Sequence, residues 1–258
     1  MFLKNEKKEK SQNNTIILGM VMLADAYSIS LASFEEDFTQ SYSSEIEKSS
    51  GDNAIAVLTI AGAQIAIGHM PAPIPHGDLE STSAYAYNWE SVLQEVSEHN
   101  SHLIVSVMGS SEDTVKHFKL FTQVVCALLR TTNSVGVYMG SQSLLIPKQD
   151  YLDEAHFMDE ACLPLNLWIY FGLEVSDRGN SGYTYGLKEF GKAELEILDS
   201  SRSLEDIRAF LFNIAHYILD HDVTFKDGQT CGLSEKDRVA ITFSNGRRVQ
   251  GKSFKLAY

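Results

Sequence analysis

The sequence predicts an α+β protein with antiparallel or mixed sheets and helices packed on one face, and three observations carry that reading. Short apolar runs bounded by turn residues alternate with segments whose apolar residues recur at i, i+3, i+4 and i+7, so strands and amphipathic helices are interleaved. Gly62-Ala63, Asp227-Gly228 and Asn245-Gly246 lie between β-rich runs and mark hairpins. The first six elements follow the order β-α-β-β-α-β, the pattern of a ferredoxin-like N-terminal half.

Residues 1–14 carry Lys4, Lys7, Lys8 and Lys10 interleaved with Glu6 and Glu9, without the apolar core of a signal peptide, and read as a disordered tail. Thr15 to Ala24 is apolar almost throughout and predicts an internal strand. Leu31, Phe34, Phe38 and Tyr42 then share one helical face, with Glu35, Glu36 and Asp37 on the other. Ala54 to Ala61 and Gln64 to Met70 form two antiparallel strands, with Gly62 opening a type II′ turn. Pro71, Pro73 and Pro75 break regular structure and predict a long loop over 71–87.

Asn88 is placed to cap a helix that buries Trp89, Val92, Leu93 and Val96. The run from Leu103 to Met108, closed by Gly109, suits a strand covered on both faces and hence central in its sheet. Ser110 and Asp113 resemble a capping box for a helix burying Phe118, Phe121, Val124, Val125 and Leu128, and Val135 to Met139 is a further strand. The pattern weakens between Gly140 and Pro164, where a short helix is expected around Asp150 to Asp159. An internal boundary falls there, dividing the chain into 15–140 and a second α+β half, 141–258, the two able to pack as one continuous domain.

In the second half, Leu165 to Val175 predicts a strand and Asp177 to Gly182 a loop. Ala193 to Leu198 alternates as a half-exposed strand does, which points Glu194 and Glu196 to water. Ser203 with Asp206 caps a helix whose Leu204, Ile207, Leu211, Ile214 and Ile218 form one stripe, and short antiparallel strands follow up to about Leu256.

The 258 residues are 44% hydrophobic, enough for a sizeable core, and carry a formal net charge of −13. A surface that negative repels phosphate, which argues against nucleic-acid binding and favours, if any partner, a basic protein. Cys126, Cys162 and Cys231 are odd in number and far apart, as reduced thiols of a cytoplasmic protein are. No apolar window reaches membrane-spanning length, and neither a cofactor nor a metal site is expected.

The proline segment places His69, His76, Asp78 and Glu80 close together, so that a stiff loop could present His76, Asp78 and Glu80 for general acid/base work or metal assistance. A histidine beside a turn glycine is more often a hydrogen-bonded structural residue. His99 and His102 fall on different elements, the pair His216 and Asp220 reads as a helix-surface contact, and His221 suits a helix C-terminus. No GxSxG, Walker lysine loop or GxGxxG occurs, and Cys126 lies in an apolar run. Trp89, Trp168 and Tyr170 belong to the core, whereas Tyr85, Tyr87, Tyr183 and Tyr185 read as loop aromatics able to contact a protein partner.

Pro-His-Gly-Asp-Leu (75–79), Trp89 with His102-Leu-Ile-Val-Ser-Val, Val135-Gly-Val-Tyr-Met-Gly and Leu167-Trp-Ile-Tyr-Phe-Gly together resemble a bacterial family known as domain of unknown function 4261. The likeness runs from about Gly19 to Leu219 and implies a common fold, with no activity or catalytic residue attached to it. Two functions follow as expectations: a non-enzymatic protein-binding module of immunity or antitoxin type, or a hydrolase or metal-assisted enzyme built on His76 and Asp78.

Overall fold

The computed structural model describes residues 14–25, 29–52, 54–86, 89, 91–110, 114–232 and 238–258. The expected tail up to residue 13 and the caps expected of Asn88 and Asp113 therefore lie outside the described residues. Residues 14–147 build a seven-stranded sheet from β1 (Asn14–Leu23), β2 (Ile46–Gly51), β3 (Ile55–Ile60), β4 (Ala63–Met70), β5 (Ser101–Ser110), β6 (Ser134–Met139) and β7 (Leu144–Pro147), so the first sheet extends past the boundary expected at 140. The order is β2-β3-β4-β5-β1-β6-β7, with each neighbouring pair antiparallel. As expected, β5 is central.

The ferredoxin-like arrangement is replaced by this order. A split βαβ half would set β1 between β4 and β5; instead β4 pairs directly with β5, Ile65 opposite Val107 and Ile67 opposite Val105. The connection from β4 to β5 carries two short helices, α2 (His76–Ser83) and α3 (Val92–Val96), and returns the chain to the neighbouring position. Helices also occupy both faces of the sheet, because β1 sends alternate side chains to different clusters. Val21 and Leu23 join the main core with Phe34 and Phe38 of α1 (Leu31–Ser41) and Phe118 and Phe121 of α4 (Thr114–Thr131). Met22 points the other way, into a smaller cluster with Leu79, Trp89, Val92 and Val96.

The second half builds a mixed six-stranded sheet from β8 (Tyr170–Ser176), β9 (Gly179–Tyr185), β10 (Leu195–Ser200), β11 (Thr230–Cys231), β12 (Val239–Asn245) and β13 (Lys252–Leu256). Its order is β11-β12-β13-β10-β9-β8, and β10 with β13 is the parallel pair. α6 (Leu204–Asp220) lies against β8 and β9, with Ile207 and Leu211 over Gly182. The Ser203 hydroxyl accepts from the Asp206 N–H and donates to the Asp206 carboxylate, so this helix start is as expected.

Both halves share one continuous core cluster. Trp168, fully buried, sits at their junction, with its ring beside Phe118 and Phe190 and its indole N–H donating to Thr122 Oγ1 at 2.9 Å. Burying an aromatic side chain of that size contributes on the order of 2–3 kcal/mol, so the junction is a major stabilising contact.

Several local expectations are corrected. The β3–β4 turn is centred on Ala61 and Gly62, at φ 49° and 74°, so both central residues are left-handed as in type I′, one position earlier than a type II′ turn at Gly62-Ala63. The loop expected over 71–87 gives way to α2 from His76, since Pro75 holds φ at −52° before the first turn and Asp78 lies where the helix dipole favours a carboxylate. Leu93 is exposed, α3 being only five residues long. Leu165–Leu167 is a 3-10 helix, and the strand begins at Tyr170; residues 179–182 belong to β9 and are not loop. Asn245-Gly246 opens a longer connection closed by the Gly246 N–H to the Gly251 carbonyl, not a two-residue hairpin.

Candidate functional site

β7 and β8 are edge strands of their respective sheets, and a cleft of about 360 Å³ opens beside both. Leu144, Leu145, Ile146 and Pro147 of β7 line it together with Tyr170 and Phe171 of β8, and Tyr85 and Trp89 add aromatic surface. The helix α5 (Lys148–His156) contributes Asp150, Asp153 and Glu154. Asn166 donates to Glu154 Oε1 at 2.8 Å and accepts from Arg208 at 2.8 Å, while the Arg208 guanidinium lies 5.7 Å from the Phe171 ring centre. An aromatic hollow with three carboxylates against one already engaged guanidinium suits a cationic side chain.

Of the tyrosines singled out from sequence, the structure gathers two. The Tyr85 ring stands 5.2 Å from Tyr170, which stands 6.1 Å from Tyr183. Tyr183 lies across Gly172, where a Cβ would meet its ring at 2.2 Å, so glycine is what lets the ring lie flat on the strand. Burial pushes the Tyr183 hydroxyl above its ordinary value, and Tyr85 and Glu174 add to the shift. Tyr183 and Tyr185 are half-buried in β9 and are not loop residues. Tyr87 lies outside the described residues.

His76, Asp78 and Glu80 share α2, and none of the three lines the cleft. His76 Nδ1 is 3.7 Å from Glu80 Oε2, an i, i+4 pair with both side chains about two-thirds exposed. His99 and His102 instead hold the proline segment. The Ile74 N–H donates to His99 Nε2 at 2.8 Å, His99 Nδ1 pairs with the Val96 carbonyl, and His102 Nδ1 donates to the Ala72 carbonyl at 2.8 Å. Burial lowers the His102 pKa, the Ala72 bond opposes it, and His99 and His69 lower it further. His216 accepts from the Leu163 N–H at 3.3 Å, and His221 caps α6 beside Asp220. Among the described residues, no three or more His, Cys, Asp or Glu side chains are grouped to hold a metal ion.

Glu194 and Glu196 do not face water. Glu194 accepts from Thr184 Oγ1 and from the N–H groups of Gly186, Leu187 and Lys188, closing the start of a 3-10 helix (Leu187–Phe190). Glu196, fully buried, accepts from Ser253 and from the N–H groups of Arg247 and Arg248, and pairs with Lys255 at 2.8 Å. The two backbone donors, Arg247 and Arg248, come from the 246–251 connection, whereas Ser253 and Lys255 lie on β13. The two carboxylates organise the fold, and neither lines the cleft beside β7 and β8.

The feature that sequence reasoning missed altogether is an open sheet face. On the side of the seven-stranded sheet away from the main core, cross-strand pairing aligns three rows: Ile16, Met108, Gln64, Thr59; Leu18, Ser106, Ala66, Val57; and Met20, Ile104, Gly68, Ile55. None of these twelve positions is charged. Ile16 and Ile55 are 61% exposed, and Leu18 and Val57 are 43% and 44% exposed. The signal was present in β1, whose apolar residues do not alternate with polar ones, but that pattern equally fits a strand buried on both faces. Asp150, Asp153 and Glu154 were missed too, although their i, i+3, i+4 spacing beside Phe157 was legible.

Residues 183–257 match the family model described as Domain of unknown function (DUF4261). This is the family the sequence motifs resemble. The matched span runs from β9 to β13 and holds Tyr183, Glu194, Glu196 and Arg208, whereas the motifs between 75 and 172 lie before it. No curated protein matches the chain, and no solved structure does.

Proposed function

We propose that the protein is a non-enzymatic protein-binding module of the cytoplasm, of immunity or antitoxin type. The single observation that carries this reading is the open face of the seven-stranded sheet, where large apolar side chains from β1, β3 and β5 stand together without a charge among them. Contiguous apolar surface of this kind marks interaction sites in soluble proteins, and the small residues Ala66, Gly68 and Ser106 keep it flat enough to pack against another macromolecule. Three free cysteines fit a reducing compartment. A net charge of −13 favours a basic partner over an acidic one.

The test is capture of partners from the native cell with wild-type protein and with Leu18→Glu combined with Val57→Glu. Both side chains are exposed, so the variant should keep its circular dichroism and melting temperature. The reading expects a partner held by wild type and lost by the variant; equal recovery by both would remove the open face from the account.

A further inference from the structure

The four sheet edges are not equally protected, and the difference points to a second binding mode that does not depend on the open face. Exposed edges template strand addition, and proteins blunt them with short length, charge, proline or bulges. β2 is polar, carries Lys48 and has a register shift between Ile46 and Lys48. β7 has four residues and ends at Pro147, and β11 has two residues. β8 is seven residues long, has neither proline nor lysine, and carries Tyr170, Phe171, Leu173 and Val175, the last 69% exposed. Its one charge, Glu174, is paired with Arg248 at 2.7 Å.

We infer that the β8 edge takes up an extended segment of another protein as an added strand, with a Lys or Arg side chain of that segment reaching the Asp150, Asp153 and Glu154 carboxylates. Pairing with β9 uses one side of β8, and the ladder geometry leaves alternate N–H and C=O groups directed away from it. Backbone bonding along that free side supplies affinity, and side-chain pockets supply selectivity. The pocket here is the cleft at the Tyr170 end of the strand, where three carboxylates face one guanidinium already bonded to Asn166. A second copy of this chain is disfavoured as the occupant, since two molecules of charge −13 repel.

The probe is an acetylated, amidated peptide of alternating Val and Lys, seven residues long to match β8, titrated into the full chain by fluorescence anisotropy. Saturable binding is expected. A single N-methyl group at every second peptide amide should weaken it by about tenfold or more, because each removes a donor from the added strand, while methylation at the intervening amides leaves it nearly unchanged. Asp150→Asn with Asp153→Asn should also weaken it, and the Leu18→Glu, Val57→Glu variant should bind as wild type does. Absence of saturable binding, or binding indifferent to which amide is methylated, overturns strand addition and leaves the open-face reading standing. An edge-to-edge dimer of the free chain in sedimentation overturns it as well, since a second copy would then occupy β8.

Discussion

At the scale of single residues, the two glutamates of β10 show how far local pattern can mislead. Alternation places a carboxylate on the wet side of a strand by default, but Glu196 is claimed by donors far along the chain, Ser253 being 57 residues away. Removing one partner of a buried ion pair leaves the other charge uncompensated, so Glu196→Ala should cost about 3–5 kcal/mol, read as a lower urea midpoint at unchanged slope. Burial alone would raise the Glu196 pKa, but the Lys255 and Ser253 donors outweigh it and hold the group below its ordinary 4.5. Its stabilisation is therefore present above that value and lost as pH falls through the lower folded value. Glu194 shifts the other way, raised by burial, so its contribution is present in acid and lost as pH rises through the folded value. His102, depressed from 6.5 chiefly by burial, stabilises the fold above 6.5 and ceases to as pH falls through its folded value. Urea midpoints between neutral and acid pH should thus drop first below the ordinary imidazole range, and His102→Asn should abolish that first drop while leaving the carboxylate stage.

At the scale of elements, the helices with strong periodicity and capping were legible and those without were not. α6 was readable from Ser203, Asp206 and its apolar stripe, and Ser203→Ala should cost roughly 1 kcal/mol of stability by removing the acceptor for the Asp206 N–H. α4 was readable from Phe118, Phe121, Val124 and Val125, all buried as expected. The segment 165–175 was not, because Leu165, Leu167 and Trp168 are apolar for the sake of the junction between halves and not for a ladder; a 3-10 turn and a strand with equal apolar content look alike. α2 was hidden by three prolines, although proline before a first turn is compatible with a helix start. The type I′ turn at Ala61-Gly62 lies one residue earlier than Gly62-Ala63, which shortens β3, lengthens β4 and changes the register, setting Ile60 opposite Ala63 where the later turn would set Ala61 opposite Gln64.

At the scale of the whole molecule, strand existence was readable but strand order was not, since apolar runs state that a strand is internal without naming its neighbours. The same ambiguity concealed the open face: an apolar β1 can be buried on both sides or can keep one side for a partner. Helices α1 and α4 cover the main-core side of the seven-stranded sheet, whereas α2 and α3 pack on the other side around Met22 and Leu145. Met20, at the head of the third row, packs against that cluster, and the rows from Ile16 to Thr59 and from Leu18 to Val57 continue the same face beyond it. The most direct measurement is site-specific photo-cross-linking in the native cell, with a reactive side chain placed at Val57 and, separately, at His76 on α2. Binding through the open face predicts a discrete cross-linked protein from position 57 and none from position 76. Cross-linking from position 76 alone, or from neither position, would contradict it.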